Sequence, residues 1–138
     1  MEITGQCYCG EIAYRATIDP KRVAICHCRD CQIFSGSAFR MAGIAEKEGF
    51  AFTRGTPRMF AKISERGFKR HMAFCGTCGT HICAMPDPDS DLQWITVRVS
   101  SSDQFSELRP SIEAFCCSKV EWLPPLEGMA QYDRMRPR

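Results

Sequence analysis

Apolar and polar residues alternate over short stretches through most of the chain, and Gly, Pro, Asp or Ser closes each stretch. The alternation runs through Glu11–Ile18 (EIAYRATI), Ser37–Ile44 (SAFRMAGI), Arg58–Ile63 (RMFAKI), Arg70–Phe74 (RHMAF), His81–Met85 (HICAM) and Leu92–Ser100 (LQWITVRVS). A period of two places successive side chains on opposite faces of a strand, so the pattern predicts a mainly β fold of short strands. Arg29–Phe34 is the one short helical turn that the pattern suggests. The segment Pro86–Asp91 (PDPDSD) reads as a hairpin loop or surface turn. Trp122-Leu-Pro-Pro marks the end of the last strand, and Arg134–Arg138 reads as a loose basic tail. Phe39, Phe52, Phe60, Phe74, Trp94 and Phe115 fit a β core better than a base-stacking platform.

The length of 138 residues suits one compact domain, assigned to residues 1–133, with the tail at 134–138. A net charge of +2 gives no case for nucleic-acid binding, which shows as a basic face. No basic segment precedes an apolar one at the N-terminus, and no apolar run reaches the roughly 18 residues of a membrane span. Cysteine changes the picture, with ten residues in the chain. Without an export signal the expected compartment is the reducing cytoplasm, where such thiols read as metal ligands or catalytic groups.

The cysteines fall into two sets. Cys7-Tyr-Cys9-Gly10 and Cys75-Gly-Thr-Cys78-Gly79 are close pairs, each followed by glycine. A following glycine lets the chain turn its amide N–H groups toward the sulfurs. Two such half-sites far apart in sequence can complete a four-thiolate structural zinc site that clips the N-terminal strand to the middle of the chain. Redox-active or free thiols are the alternative.

The second set is Cys26-His27-Cys28-Arg29-Asp30-Cys31. An extended Cys-x-Cys turns residues 26 and 28 to one face, and a turn over Arg29 and Asp30 can bring Cys31 to the same point. Three convergent thiolates with an open fourth position are the pattern of a catalytic zinc, and an exogenous thiol would suit the vacancy. Cys83, Cys116, Cys117, His71 or His81 could instead close the site as a fourth ligand. On an extended chain His27 faces away from the metal, as a gate or proton carrier rather than a ligand. Cys83 reads as a small buried apolar residue. Cys116 and Cys117, if in a strand, point to opposite faces. Arg66, Lys69 and Arg70 read as a solvated basic face with some capacity for the carboxylates of an anionic ligand.

In order along the chain stand Gly-x-Cys-x-Cys-Gly (5–10), Cys-His-Cys-x-x-Cys-x-x-x-Ser-Gly (26–36), Phe-Cys-x-x-Cys-Gly (74–79) and Ser-Lys-x-x-Trp (118–122). This order resembles the glutathione-dependent formaldehyde-activating enzyme family, also called the centromere protein V domain family. The resemblance covers nearly the whole chain and implies a β-tent fold clipped by zinc. It implies two zinc ions, a structural one at Cys7, Cys9, Cys75 and Cys78 and a second at Cys26, Cys28 and Cys31. It also implies carbon–sulfur lyase chemistry, the formation or cleavage of S-hydroxymethylglutathione from glutathione and formaldehyde. The chain departs from the usual pattern at Ile112–Cys117 and at Ser102-Asp103.

On this reading a glutathione thiolate on the open zinc attacks an aldehyde carbon, or the adduct cleaves by the reverse path, with His27 or water carrying the proton. The expected partners are glutathione or a similar thiol and an aldehyde, with no nucleic acid and no membrane, and a homodimer is left open. The alternative is a non-catalytic, zinc-stabilised binding or chaperone-like module. A nucleic-acid-binding zinc ribbon lacks the basic stripe it would need. A methionine sulfoxide reductase would need a separate catalytic thiol, for which Cys116 or Cys117 would have to serve.

Overall fold

The computed structural model describes residues 1–136; Pro137 and Arg138, the end of the expected tail, lie outside the described residues. Ten strands, one short α-helix and several single 3₁₀ turns follow one another among them. The strands are β1 (Glu2–Gln6), β2 (Ala13–Ile18), β3 (Ala24–Cys26), β4 (Arg40–Arg54), β5 (Arg58–Ile63), β6 (Lys69–Phe74), β7 (His81–Pro86), β8 (Trp94–Val97), β9 (Ile112–Ala114) and β10 (Ala130–Gln131). Helix α1 (Arg29–Ser35) lies between β3 and β4.

The strand order is β10-β9-β3-β4-β8-β7-β6-β5, with β2 and β1 branching from β4. The branch is possible because β4 is 15 residues long. Its start pairs with β3 through Arg40–Ala42, its middle with β8 through Gly43–Glu46, and its second half with β2. The expected strand Ser37–Ile44 is therefore only the beginning of one long strand, which the polar run Glu46-Lys47-Glu48 does not interrupt. Pairing is mostly antiparallel, but β3–β9 and β9–β10 are parallel.

The alternation does what a period of two requires. On β2, Tyr14, Ala16 and Ile18 are buried while Arg15 and Thr17 face solvent. These side chains meet Ile3, Phe50, Ile82, Ile95, Val97 and Val99 in the main core. Tyr14 lies so close under β1 that a Cβ on Gly5 would sit 2.5 Å from its hydroxyl and 2.6 Å from the Ser101 carbonyl. Glycine is what permits that approach, and the Tyr14 hydroxyl meets the Ser101 hydroxyl at 3.0 Å.

Three expectations about packing change. Phe60 is 56% exposed, because β5 is an edge strand with little packed on either face, while Phe50 takes the core place beside Tyr14. Lys69 and Arg70 do not share a basic face, since neighbours on a strand point opposite ways. Lys69 is exposed and pairs with Asp87, whereas Arg70 is buried and donates to the carbonyls of Ala84 (2.8 Å) and Trp94 (3.3 Å). The tail is also less free than its composition suggests. The Phe115 amide donates to the Arg134 carbonyl at 3.1 Å, Arg134 pairs with Glu65, and Arg66 donates to the Arg136 carbonyl.

Candidate functional site

The structure gathers Cys7, Cys9, Cys75 and Cys78 so that their sulfurs all lie within 4.8 Å of one another. Two turns do this. One follows β1, and the other links β6 to β7. The Ile12 amide donates to Cys7 Sγ at 3.3 Å and the Cys78 amide to Cys75 Sγ at 3.5 Å. Thr80 joins the two turns. Its hydroxyl oxygen accepts from the Tyr8 amide (3.1 Å), which leaves its proton to point at Cys78 Sγ (3.1 Å). That contact, with backbone amides of Thr80 and Cys9 behind it, draws the Cys78 thiol down to about 5. Cys9, facing three other sulfurs, is pushed up to about 12 despite an amide from Glu11. One thiol of the four readily ionises and another resists.

The second set comes from a single segment. Strand β3 ends at Cys26, His27 turns inward, and Cys28 caps α1 by accepting the Cys31 amide at 3.3 Å. Gly36 closes the helix in the left-handed conformation, at φ 63°. The three sulfurs lie within 4.8 Å of one another, and among the described residues no fourth Cys, His, Asp or Glu joins them. Cys26 and Cys28 donate to Cys31, and Arg40 Nη2 meets its sulfur at 3.1 Å; together they draw the Cys31 thiol down to about 2. Cys26 is pushed well up by the same two neighbours and by burial. For Cys28, the favourable contact with Cys26 is outweighed by Cys31 and burial, and its thiol also rises.

Both sets suit a thiophilic cation. All donors are sulfur, amide N–H groups already face them, and a divalent ion would relieve the repulsion that keeps the remaining thiols protonated. The candidate fourth ligands are elsewhere engaged. His71 Nε2 bonds Asp87 at 3.2 Å, and His81 packs between the rings of Phe34 and Phe74. Cys83 is buried in the main core, where desolvation pushes its thiol up to about 12. Cys116 and Cys117 lie in a 3₁₀ turn, not a strand, after Phe115 in the left-handed region at φ 56°. The Cys116 thiol there reaches the Glu113 carbonyl at 3.7 Å, and Cys117 is exposed.

His27 is fully buried and is not among the residues lining the cavity beside the trio. The Cys-x-Cys alternation that joins the two sulfurs turns the ring between them toward β9, where Nε2 bonds Glu113 Oε1 at 2.7 Å. The ring therefore lies against β9 rather than on the cavity wall. Glu113 is itself fully buried. Burial alone would raise its carboxyl, but Lys119 (2.7 Å), His27 and Gln131 (2.8 Å) outweigh this and hold it below the usual range. The sequence pattern gave Glu113 no role, because it stands in a short apolar run.

A cavity of about 470 Å³ opens beside the trio, lined by Cys26, Cys28 and Cys31 together with apolar Met72, Leu92 and Trp94. Arg40, Arg70 and Arg98 also line it. Arg98 is 4% exposed, and burial, then the nearby Arg40, draws its guanidinium down to about 9, so it stays charged at neutral pH. Its Nε, and the Nε and Nη1 of Arg40, are buried without a hydrogen-bond partner. Sequence reasoning missed both arginines, since each stands in an alternating stretch at a position that reads as outward.

The match to known proteins agrees with this geometry. Residues 2–118 match the family model described as glutathione-dependent formaldehyde-activating enzyme. A curated relative, an uncharacterized lyase of Schizosaccharomyces pombe, is 28% identical over 79 residues, 57% of this chain. The matched region spans 54% of that relative, about half its length. A crystal structure of a Rhodobacter sphaeroides protein has a similar fold, with a TM-score of 0.55, 19% identity, and 71% of this chain and 85% of that one covered. Every one of the seven clustered cysteines lies inside the matched segment, and on that match the chain belongs to the glutathione-dependent formaldehyde-activating enzyme family.

Proposed function

We propose that the protein is a carbon–sulfur lyase that makes and breaks the adduct of glutathione, or a similar thiol, with an aldehyde. The observation that carries this reading is the trio Cys26, Cys28 and Cys31, three convergent sulfurs on the wall of a cavity with no fourth protein donor among the described residues. In this reading zinc is the ion at both sets. Cys7, Cys9, Cys75 and Cys78 hold a structural ion that clips a β-tent. Cys26, Cys28 and Cys31 hold the second, and the relevant compartment is the cytoplasm.

When bound, an ion on three thiolates supplies an exchangeable position that favours the deprotonated form of an incoming thiol. The chain does the remaining work. Arg40 lies against Cys31 and offsets the negative charge that builds up on the sulfurs. The buried pair His27–Glu113, braced by Lys119, fixes the main chain between Cys26 and Cys28. The cavity volume of about 470 Å³ falls in the range of small-molecule sites. Met72, Leu92 and Trp94 give it an apolar wall that limits water at the reacting carbon.

Exchange NMR tests the reading directly. With glutathione and formaldehyde at equilibrium, the protein should accelerate interconversion of free glutathione and S-hydroxymethylglutathione. Cys28→Ala should return the rate to the uncatalysed one. A wild-type protein with two metal equivalents and no acceleration for any carbonyl compound would reverse the reading in favour of a binding module.

A further inference from the structure

The charged groups lining the cavity are mostly positive. Lys62 pairs with Asp30 and Arg134 with Glu65, while Arg29 bonds Gln32 and Arg66 bonds the Arg136 carbonyl, neither meeting a carboxylate among the described residues. Arg40, Arg70 and Arg98 all line the cavity, and among the described residues none of the three is ion-paired with a carboxylate. Arg70 is satisfied by neutral oxygens of Ala84, Trp94 and Thr96. Arg98 Nε and Arg40 Nε and Nη1 are buried donors with no acceptor. Cys83, near Arg98 and Arg70, is held as a neutral thiol and does not compensate them.

Buried charge without a counter-charge is strongly unfavourable, and so are buried donors without acceptors. The sulfur trio answers part of this. A divalent ion on three thiolates leaves one net negative charge, and a substrate thiolate adds a second. Three guanidiniums face those two charges, so positive charge remains for another anion.

We propose that Arg40 and Arg98 form a carboxylate subsite beside the sulfur trio, and that the carbonyl substrate is a short oxo acid, an aldehyde bearing a carboxylate next to its carbonyl carbon. This rests on the lyase reading and names the substrate class for it. Distance decides between the two sources of a carboxylate. The guanidinium of Arg40 is one rigid planar fork whose Nη2 touches Cys31 Sγ at 3.1 Å. Its free Nε and Nη1 are thereby held close to the sulfurs. In an oxo acid the carboxylate is one bond from the carbon that joins sulfur. In glutathione either carboxylate is several bonds away from its own sulfur and would reach the rim instead.

The step balances without a redox partner. The lone pair of the glutathione thiolate forms the C–S bond, the carbonyl π pair moves to oxygen, and that oxygen takes up the proton that the thiol released. Cleavage reverses each move. Arg40 and Arg98 hold the carboxylate so that the carbonyl carbon faces the sulfur.

The test uses the metal-loaded full chain with glyoxylate and formaldehyde as carbonyl probes, and difluoroacetate as an unreactive carboxylate followed by fluorine NMR. The proposal expects exchange with glyoxylate to exceed that with formaldehyde roughly tenfold or more in kcat/KM, as a charge-assisted bidentate contact would give. Arg98→Met should raise KM for glyoxylate by a similar factor and abolish difluoroacetate line broadening. The wild-type comparison stands even if that variant does not fold. Equal rates for the two carbonyl probes would overturn the proposal. So would an Arg98→Met defect that appears with glutathione and vanishes with its diethyl ester, which would assign the subsite to glutathione's own carboxylate. Arg98-dependent difluoroacetate binding with no exchange of either adduct would overturn the lyase reading, and with it the substrate class, while leaving an anion site.

Discussion

The two sulfur sets use the same donor chemistry in opposite surroundings. Cys7, Cys9, Cys75 and Cys78 come from two segments nearly 70 residues apart, 66 between Cys9 and Cys75, and meet beside the main core. Cys26, Cys28 and Cys31 come from one segment and face a cavity with buried arginines. The first set links remote parts of the chain, so what it gains is order. The second links almost nothing, and its neighbours are charged groups without partners. On the proposed reading, a complete donor set at a chain crossing serves the fold, and an incomplete one beside a cavity with buried arginines serves chemistry.

Breaking the first set should have the largest effect. On the proposed reading, Cys75→Ser removes a buried ligand of an ion whose binding energy is on the order of 10 kcal/mol, comparable with the whole stability of a small domain. The variant should lose cooperative unfolding in circular dichroism. A folded Cys75→Ser with one metal equivalent would erase the contrast.

Next in size is the matching change in the second set. Cys28→Ala should lose one metal equivalent and all detectable exchange activity yet remain folded. It also removes the cap of α1, which costs about 1 kcal/mol and leaves a folded protein. Metal analysis with thermal melting separates these outcomes.

Glu113→Ala tests what props the second set. It strands Lys119 and His27 at the joint of β3 and β9. Breaking a buried pair should cost about 3 kcal/mol in denaturant unfolding. Affinity for metal should fall at the trio and hold at the four-thiol set.

The smallest effect belongs to Thr80→Val, which removes the hydroxyl facing Cys78. That hydroxyl is the main cause of the lowered Cys78 thiol, so its loss raises the thiol's affinity for protons. Protons then compete with metal at higher pH, and release from the four-thiol set should move to higher pH. Affinity should fall about 10- to 100-fold. The trio's release profile should stay in place.

Much of this contrast was legible in the sequence, for identifiable reasons. Cysteine spacing fixes which sulfurs can converge, because a Cys-x-Cys and a Cys-x-x-Cys leave few arrangements. Alternation on β2 and β8 named the core faces. Other features depend on partners far along the chain. The parallel joint of β3 with β9 brings residues 24–26 against 112–114, and no local pattern announces it. Arg40 and Arg98 read as outward polar positions, and only the fold shows both lining one cavity. Glu113 reads as an interruption in an apolar run until His27 and Lys119 are placed beside it.

The central claim is that one sulfur set is complete and the other accepts a substrate thiol. Cobalt in place of the native metal reports this in one spectrum, since its sulfur charge-transfer and ligand-field bands follow the donor set. Addition of millimolar glutathione to protein with two cobalt ions should shift the bands of one ion and leave those of the other unchanged. In Cys28→Ala, with its single ion, the same addition should change nothing. Unchanged bands in the two-cobalt wild type would contradict the account.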